Sequence, residues 1–453
     1  MARKHFGTDG IRGEANKELT VELAMDLGYA LGHYLQENKK DGKNPMIVLG
    51  TDTRVSGYML RSALFASLTS LGINIEFLGV IPTPGVAYLA RHLKADGGIM
   101  ISASHNPAKD NGIKIFGAGG YKLPDEVEEK LEKLMDNVEE IKKVKLAGDK
   151  VGKFRYNLDN YYIYQDYLLS TVKGNFKGMK IILDAANGAA YKIASKVFYE
   201  LGAEIVSIND IPNGTNINVK CGSTDMTILK KVVLGYEADL GLAFDGDADR
   251  LLAVDSKGNE IDGDTIIAVV AKHLKKEGKL NKNTIVSTIM SNMGLEKHLE
   301  KEGIKLLRTD VGDRYVLEKM KEEGLNIGGE QSGHIIFLDY NTTGDGMMTA
   351  LQLVATIKKE GKKIDDLINE IEYYPQILIN VIVENSKKKL WDKNEKIVNI
   401  IAEKEKEMEG NGRVLVRTSG TEPKVRVMVE GKEQEMVERV ANEIAEVVKK
   451  ELS

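Results

Sequence analysis

The pattern that most constrains this chain is a repeated succession of a short apolar run, a polar loop and an amphipathic helix. Residues 46–50 are apolar and lead into a polar loop at residues 51–56, after which apolar residues recur with helical spacing as far as Leu68. The same order returns at residues 180–201 and at residues 284–302. Such alternation predicts strands of one sheet with helices packed over both faces. We therefore predict an α/β fold of three consecutive domains with mixed, mostly parallel sheets.

The C-terminal part of the chain has a different pattern. Residues 377–383 alternate like a strand, a charged helix is expected at 391–408, and two further strands are expected at 413–416 and 425–429. The closing helix has apolar residues on one stripe, which is typical of a helix packed against a sheet. This predicts a small C-terminal α+β domain. The domain boundaries that follow are 1–153, 154–254, 255–372 and 373–453.

Composition excludes several classes of partner. The 453 residues carry a net charge of −5, which gives no electrostatic footprint for nucleic acid or an anionic membrane, so neither is expected as a partner. Cys221 is the only cysteine, so an intramolecular disulfide is excluded and a reducing compartment is favoured. The N-terminus lacks a signal-peptide pattern, and no apolar run has the length of a membrane span. We expect a cytoplasmic protein.

Three aspartates follow the apolar run at residues 240–244, namely Asp245, Asp247 and Asp249. Small residues separate them, so the carboxylates can converge on one point, and oxygen ligands of this kind suit Mg²⁺. An EF-hand is excluded, because Arg250 stands where its loop requires glycine. A solvated acidic turn is the alternative interpretation.

Ser102 and Ser104 lie in a loop that follows the apolar run at residues 98–101. Open α/β sheets bind ligands where the carboxyl ends of their strands meet, and a serine can act as a nucleophile when a base or a metal assists it. The residues alone do not choose between the two serines. A structural turn before Pro107 is the alternative interpretation.

The loop at residues 417–423 has three hydroxyls, an unhindered glycine and Arg417, and Arg426 follows it. The forked donors of arginine match phosphate oxygens, so this loop predicts a phosphate site. An ordinary hairpin turn is the alternative.

The loop at residues 328–334 offers the carboxylate of Glu330, the hydroxyl of Ser332 and the imidazole of His334. This mixture suits a ligand with many hydroxyls, and a capped turn is the alternative.

Together the four loops resemble those of the α-D-phosphohexomutase superfamily, in the same order and over essentially the whole chain. The motif at residues 6–13 (FGTDGIRG) and the loop at residues 329–334 (GEQSGH) are most similar to those of bacterial phosphoglucosamine mutases. The resemblance implies four domains around a central cleft and an intramolecular phosphotransferase of the isomerase class. The implied reaction interconverts glucosamine 6-phosphate and glucosamine 1-phosphate, which supplies UDP-N-acetylglucosamine and cell-wall precursors.

The resemblance also implies the role of each site residue. The phosphorylated serine of the superfamily directly precedes a histidine, which selects Ser104. The implied metal ligands are Ser104, through a phosphate oxygen, and Asp245, Asp247 and Asp249. The implied sugar ligands are Glu330 and Ser332, and the implied phosphate ligands are Arg417, Ser419, Gly420, Thr421 and Arg426. The implied basic catalytic residues are Arg12, Lys114, Arg250 and His334, with Lys114 or His334 handling the proton.

The implied cofactors are one Mg²⁺ per subunit, phosphorylation of Ser104 and a sugar 1,6-bisphosphate activator. The implied partners are a hexose or hexosamine phosphate substrate and a second copy of the chain in a homodimer. A phosphoglucomutase/phosphomannomutase of the same superfamily is the nearest alternative function. A metal-dependent phosphatase and an inert sugar-phosphate sensor are more distant ones, and the intact Ser104 and aspartate set argue against the sensor.

Overall fold

The computed structural model describes residues 4–7, 9–39, 41–157, 159–384, 386–418 and 423–452. Contacts group the chain into two compact units. The first unit is Met1–Ile289 with Leu306–Ile368, and the second is Met290–Lys305 with Asn369–Ser453. Among the described residues, no helix is both long enough and apolar enough to cross a membrane.

The first unit begins with a seven-stranded sheet. Its elements are β1 (Phe6–Gly7), β2 (Gly10–Glu14), α1 (Val21–Asn38), β3 (Met46–Thr51), α2 (Gly57–Ser70), β4 (Asn74–Val80), α3 (Thr83–His92), β5 (Gly97–Ile101), β6 (Asp110–Gly117), α4 (Asp125–Asp136), α5 (Val138–Lys142) and β7 (Phe154–Tyr156). The strand order is β1-β2-β6-β5-β3-β4-β7. Pairing is parallel from β5 through β3 and β4 to β7, and antiparallel from β1 through β2 and β6 to β5.

Strand β3 shows why helices cover this sheet on both faces. Ile47 and Leu49 face a core that includes Leu27 of α1 and Leu64 of α2. Val48, between them, is also fully buried. Because successive side chains of a strand point to opposite faces, a continuous apolar run indicates burial on both sides.

The second sheet has the strand order β12-β11-β10-β8-β9. Its elements are α6 (Asp159–Ser170), β8 (Lys180–Asp184), α7 (Ile193–Glu200), β9 (Glu204–Ile208), a 3₁₀ turn (Gly222–Thr224), α8 (Thr227–Gly235), β10 (Leu240–Phe244), β11 (Leu251–Asp255) and β12 (Glu260–Ile261). Strands β10, β8 and β9 are parallel, and β10, β11 and β12 are antiparallel.

The third sheet has the order β14-β13-β15-β16. Its elements are α9 (Gly263–Lys276), a 3₁₀ turn (Asn281–Asn283), β13 (Thr284–Thr288), α10 (Met293–Lys301), β14 (Lys305–Thr309), α11 (Asp313–Glu323), β15 (Ile327–Gly329), β16 (Ile335–Phe337), α12 (Gly346–Glu360) and α13 (Ile364–Ile368). Strands β13 and β15 are parallel, and β15 and β16 are antiparallel. Helix α10 belongs to the second compact unit.

The second unit contains an antiparallel sheet of order β17-β19-β18. Its elements are β17 (Gln376–Ile382), a 3₁₀ turn (Lys388–Lys393), α14 (Glu395–Glu407), β18 (Gly412–Thr418), β19 (Lys424–Gly431) and α15 (Gln434–Leu452). Helix α15 packs Val437, Val440, Ile444 and Val448 into the core with this sheet. The predicted C-terminal α+β fold is confirmed.

The predicted α/β class with mixed sheets is confirmed, and strands form at Lys180–Asp184 and Leu240–Phe244, where the sequence is apolar. Helix α3 begins at Thr83, and Pro84 fits its first turn because a proline is compatible with that position. The charged helix predicted at 391–408 is divided in two. Asn394 accepts the N–H of Lys396 (3.0 Å), which caps a new helix after the 3₁₀ turn.

Each loop with predicted chemistry joins two neighbouring antiparallel strands. The four hairpins are β5–β6, β10–β11, β15–β16 and β18–β19. Because of these hairpins, the sheets contain more antiparallel pairing than the alternation of strands and helices indicated. The first three hairpins also place polar side chains at the strand ends, where the site of the first unit is built.

Candidate active site

Ser104 lies at the turn of the first hairpin, just after β5, and is almost fully buried. Its backbone has a φ of 52°, in the left-handed region that a residue with a Cβ atom seldom adopts. The Oγ atom donates to Asp245 Oδ2 at 2.5 Å and lies 3.5 Å from Asp249 Oδ1. A strained backbone that aims a hydroxyl at carboxylates is a frequent feature of functional sites.

The buried side chain of Arg54 holds this turn in place. One of its Nη atoms donates to the carbonyls of Ser104 (3.1 Å) and Asn106 (2.7 Å). Asn218 Nδ2 donates to the same two carbonyls, at 2.8 and 3.0 Å. The other Nη of Arg54 bonds Asp52, which keeps the buried guanidinium paired.

The neighbouring Ser102 has a different environment. Its Oγ donates to Asp52 Oδ2 (2.5 Å) and accepts the N–H of Ser104 (2.9 Å). Both hydrogen bonds brace the loop. Of the two serines, only Ser104 directs its hydroxyl toward the acidic loop.

The acidic loop after β10 is fixed by its own backbone. Three successive carbonyls, from residue 246 to residue 248, accept backbone amides of three separate segments at 2.8–3.0 Å. The donors are Ala189, Thr83 at the start of α3 and Gly346 at the start of α12. The first amides of a helix have no partner inside the helix, so those of Thr83 and Gly346 are free to bond the carbonyls of the acidic loop.

The side chains of Asp245, Asp247 and Asp249 converge. One ligand oxygen from each lies within 4.8 Å of the other two, and all three residues are buried. Asp247 Oδ2 accepts the Thr83 hydroxyl (2.5 Å), whereas Asp247 Oδ1 is buried without a hydrogen-bond partner among the described residues. An unsatisfied buried carboxylate oxygen is costly, so these residues fit a hard divalent cation.

The three carboxylates differ electrostatically. Burial and the charges of Asp249 and Asp247 raise the pKa of Asp245 well above its usual range. Burial also disfavours ionised Asp249, but Lys114 and His334 outweigh it and hold the pKa of Asp249 well below the usual range. Negative charge is therefore less compensated at Asp245, beside the hydroxyl of Ser104, than at Asp249.

The predicted basic residues lie around the same cluster. Lys114 Nζ is 2.8 Å from Asp247 Oδ2 and 3.1 Å from Asp249 Oδ2. Arg12 donates to the carbonyl of Ala103 at 3.4 Å, and Arg250 Nε is 3.8 Å from Asp249 Oδ1. Three cations therefore lie within reach of a phosphoryl group on the Ser104 loop, and their charge would offset the charge of that group.

His334 lies between two carboxylates. Its Nδ1 is 3.7 Å from Asp249 Oδ1, and its Nε2 is 3.4 Å from Asp313 Oδ2. Burial disfavours the charged ring, but Asp249 and Asp313 outweigh it and raise the pKa of His334 to about 10. The amide of Gly344, 3.1 Å from Nε2, can donate to the neutral ring. His334 thus has partners in both protonation states.

The third hairpin adjoins the acidic loop. The carbonyl of Gly333 accepts the N–H of Leu251, the residue after Arg250, at 3.0 Å. Glu330 accepts the amide of Gly312 (3.2 Å) and is one of the carboxylates whose charge raises the pKa of Arg250. Ser332 Oγ is buried without a hydrogen-bond partner among the described residues. Glu330 and Ser332 therefore leave polar atoms available for a ligand.

In the second unit, Arg417 and Arg426 lie directly opposite each other on β18 and β19. Like charges in this register are destabilising. Burial and the charge of Arg426 lower the pKa of Arg417, so an anion between them would relieve the repulsion. The other predicted phosphate ligands, Ser419, Gly420 and Thr421, lie outside the described residues.

Sequence reasoning did not assign Asp9, Arg54 or Thr83. Asp9 pairs with Arg12, Lys114 and Lys122, although it stands in the quoted motif at residues 6–13. Arg54 lies in the polar loop after β3, and β3 pairs with β5, whose end carries Ser104. Once the pairing of β3 with β5 is known, the rule that neighbouring parallel strands bring their ends together places Arg54 beside the Ser104 loop.

Four family models match the chain along its length. They describe phosphoglucomutase/phosphomannomutase α/β/α domain I at residues 3–142, domain II at 162–258, domain III at 262–374 and the C-terminal domain at 378–447. The chain belongs to this family, and its class is therefore that of phosphohexose mutases, which are isomerases.

Within that class the chain is similar to phosphoglucosamine mutases. It is 60% identical over 450 residues to the phosphoglucosamine mutase of Fusobacterium nucleatum, covering 99% of this chain and 100% of that protein. It is 51% identical over 449 residues to that of Bacillus subtilis, covering 99% of each.

Solved structures share the fold. A phosphoglucomutase/phosphomannomutase family protein from Burkholderia thailandensis has a TM-score of 0.81 at 23% identity, covering 98% of this chain and 96% of that chain. The N-acetylphosphoglucosamine mutase of Aspergillus fumigatus, in complex with GlcNAc-6P and magnesium, has a TM-score of 0.66 at 19% identity, covering 99% and 96%.

Proposed function

We propose that the chain interconverts glucosamine 6-phosphate and glucosamine 1-phosphate through a phosphoserine at Ser104 and a sugar bisphosphate intermediate. The observation that carries this proposal is the position of the Ser104 hydroxyl, 2.5 Å from Asp245 in the cluster of three buried carboxylates. The identity to curated phosphoglucosamine mutases supports glucosamine phosphate as the sugar.

We assign the metal site to Asp245, Asp247 and Asp249, with a phosphate oxygen on Ser104 as the fourth ligand and one Mg²⁺ per subunit. A bound divalent cation supplies compensation for the charge of the phosphoryl group. The unsatisfied Asp247 Oδ1 and the incompletely compensated charge at Asp245 support this assignment.

In the first transfer, a hydroxyl oxygen of the sugar monophosphate forms a bond to the phosphorus on Ser104. The bond between that phosphorus and Ser104 Oγ breaks, and the product is a sugar bisphosphate. In the second transfer, Ser104 Oγ takes the other phosphoryl group, which leaves the isomeric monophosphate. Little covalent assistance is required, so positioning and charge neutralisation supply most of the catalysis.

Proton transfer is assigned to Lys114 or His334. The attacking hydroxyl must lose a proton, and the leaving oxygen must gain one. Lys114 Nζ and His334 Nδ1 approach different oxygens of Asp249, at 3.1 and 3.7 Å, so they flank the reacting region from two sides. Arg12 and Arg250 add positive charge near the transferring group.

The remaining predicted ligands would hold the sugar phosphate. Glu330 and Ser332 would bind sugar hydroxyl or amino groups, because they present polar atoms beside Arg250. The phosphate that is not transferred would bind Arg417 and Arg426, together with Ser419, Gly420 and Thr421. The repulsion between the two opposed arginines supports an anion at this place.

A coupled assay for glucosamine 1-phosphate, started with glucosamine 6-phosphate and a bisphosphate activator, tests the proposal. Wild type should isomerise glucosamine 6-phosphate faster than glucose 6-phosphate or mannose 6-phosphate. Ser104→Ala should be inactive, whereas the matched control Ser102→Ala should keep measurable turnover, since its hydroxyl only braces the loop. Full turnover in Ser104→Ala would refute the phosphoserine. A preference for glucose or mannose phosphate would instead support the alternative function, that of a phosphoglucomutase/phosphomannomutase.

Several further properties belong to the same proposal. They are four domains with boundaries near residues 153, 254 and 372, a homodimer, a sugar 1,6-bisphosphate activator and a cytoplasmic location. The residues matched by the four family models support the domain division. Light scattering of the purified chain would test the homodimer.

A further inference from the structure

Six ionisable side chains of the first unit form a closed ring in which acidic and basic groups alternate. The ring contains only three of the residues that the sequence assigned to the site. Its members, in order around the ring, are Asp249, Lys114, Asp9, Lys122, Asp313 and His334.

One half of the ring leads away from the acidic loop. Lys114 Nζ is 3.1 Å from Asp249 Oδ2 and 3.0 Å from Asp9 Oδ2. Asp9 Oδ1 is in turn 2.5 Å from Lys122 Nζ. Asp9 therefore bridges two ammonium groups through its two oxygens.

The other half of the ring leads back to the acidic loop. Lys122 Nζ is 2.5 Å from Asp313 Oδ2. The same oxygen of Asp313 is 3.4 Å from His334 Nε2, and His334 Nδ1 is 3.7 Å from Asp249 Oδ1. The Lys122–Asp313 contact is the point at which the two halves join.

The ring crosses three of the domains matched by the family models. Lys114 and Lys122 belong to domain I, Asp249 belongs to domain II, and Asp313 and His334 belong to domain III. A shift of domain I relative to domain III would stretch the Lys122–Asp313 contact. That stretch would displace Lys114 and His334 from their places on either side of Asp249.

Burial makes these contacts strong enough to fix positions. The side chain of Lys122 is 14% exposed and that of Asp313 is 18% exposed, so water screens their attraction only in part. Burial opposes the charge of Lys122, but Asp313 and Asp9 outweigh it and raise its pKa. The burial of ionic groups costs free energy, so a gain in stability alone seldom explains why they are present.

We propose that Lys122 and Asp313 are positioning residues for phosphoryl transfer, which close the ring and thereby hold Lys114 and His334 in a single arrangement around Asp249. The inference rests on the proposed function and adds to it two residues whose ion pairs are with members of the ring other than the metal ligands. They act through Asp9 and His334.

The neighbouring Arg314 provides a matched control. It follows Asp313 on α11, donates to the carbonyl of Leu123 (3.2 Å) and pairs with Glu128 (3.3 Å). It therefore joins the same segments of domains I and III as the Lys122–Asp313 contact, but through groups outside the ring.

The test measures kcat, KM and thermal unfolding for Lys122→Met, Lys122→Arg, Asp313→Asn and Arg314→Met in the full chain. Lys122→Met and Asp313→Asn should lose about 10- to 100-fold in kcat, as is common when residues that orient catalytic side chains are removed. KM should stay within about twofold, because the lost interaction acts in the transition state. Lys122→Arg should recover most of the activity, because it keeps the charge.

Arg314→Met should keep kcat within about twofold of wild type, even where it lowers the unfolding temperature. Wild-type kcat in Lys122→Met would overturn the inference. So would an equal loss of kcat in Arg314→Met, because the contact would then only join the domains. If wild type itself failed to isomerise any sugar phosphate, the proposed function would fail, which is a separate outcome.

Discussion

The replacement of Arg54 by methionine tests how the nucleophile loop is held. The side chain of Arg54 is fully buried, pairs with Asp52, and donates to the carbonyls of Ser104 and Asn106. Methionine keeps much of the volume but removes the charge and all of these donors. Asn218 still donates to both carbonyls, so they do not lose every partner.

The main penalty should therefore arise at Asp52. Burial already raises the pKa of Asp52, even with Arg54 beside it. Removal of one partner of a buried ion pair costs about 3–5 kcal/mol, because the other charge is left uncompensated. The double variant Asp52→Asn with Arg54→Met removes that stranded carboxylate, so it should be more stable than the single variant by about 1–3 kcal/mol.

Urea unfolding followed by circular dichroism measures these differences, and the coupled assay measures turnover of the folded protein. Under conditions in which Arg54→Met is fully folded, it should still turn over more slowly than wild type, because Ser104 is no longer fixed. The reasoning would be refuted if Arg54→Met unfolded at the wild-type midpoint. It would also be refuted if the double variant were less stable than the single variant.

Three further predictions follow from the same contacts. Asp247→Asn should weaken Mg²⁺ binding by calorimetry, and an unchanged affinity would remove the acidic loop as the metal site. Gly246→Ala should lose turnover, because a Cβ atom there would lie 2.5 Å from the carbonyl oxygen of Ser104 and the turn would have to move. A wild-type rate in this variant would show that the contact is not tight. Tyr164→Phe should lower the free energy of unfolding by about 1–2 kcal/mol, because the tyrosine hydroxyl donates to the buried Asp345 at 3.1 Å. An unchanged urea midpoint would contradict this prediction.

The sequence predicts much of the site because its chemistry is concentrated in short loops. The spacing of Asp245, Asp247 and Asp249 requires only that a strand deliver them to one place. Ser102 and Ser104 could be singled out together because both lie just beyond an apolar run, and the resemblance to the superfamily then selected Ser104. His334 could be singled out because it lies in a polar loop that follows another apolar run. These are local signals, and hairpins between neighbouring strands preserve them in the fold.

The contacts between distant segments could not be predicted in this way. Lys122 and Asp313 are 191 positions apart and lie in segments matched by different family models, so no local pattern relates them. Arg54 looks like any arginine in a polar loop until the pairing of β3 with β5 sets it under the Ser104 turn. In each case the sequence shows a charged residue, and the tertiary fold alone supplies its partner.

The central claim is that Ser104 carries the phosphoryl group, and mass spectrometry tests it most directly. The purified chain is incubated with glucose 1,6-bisphosphate, digested, and sequenced by fragmentation across residues 102–104. The account predicts a gain of about 80 Da on Ser104, which disappears when excess glucosamine 6-phosphate is added. A gain on Ser102, or no phosphopeptide while isomerisation proceeds at full rate, would contradict it.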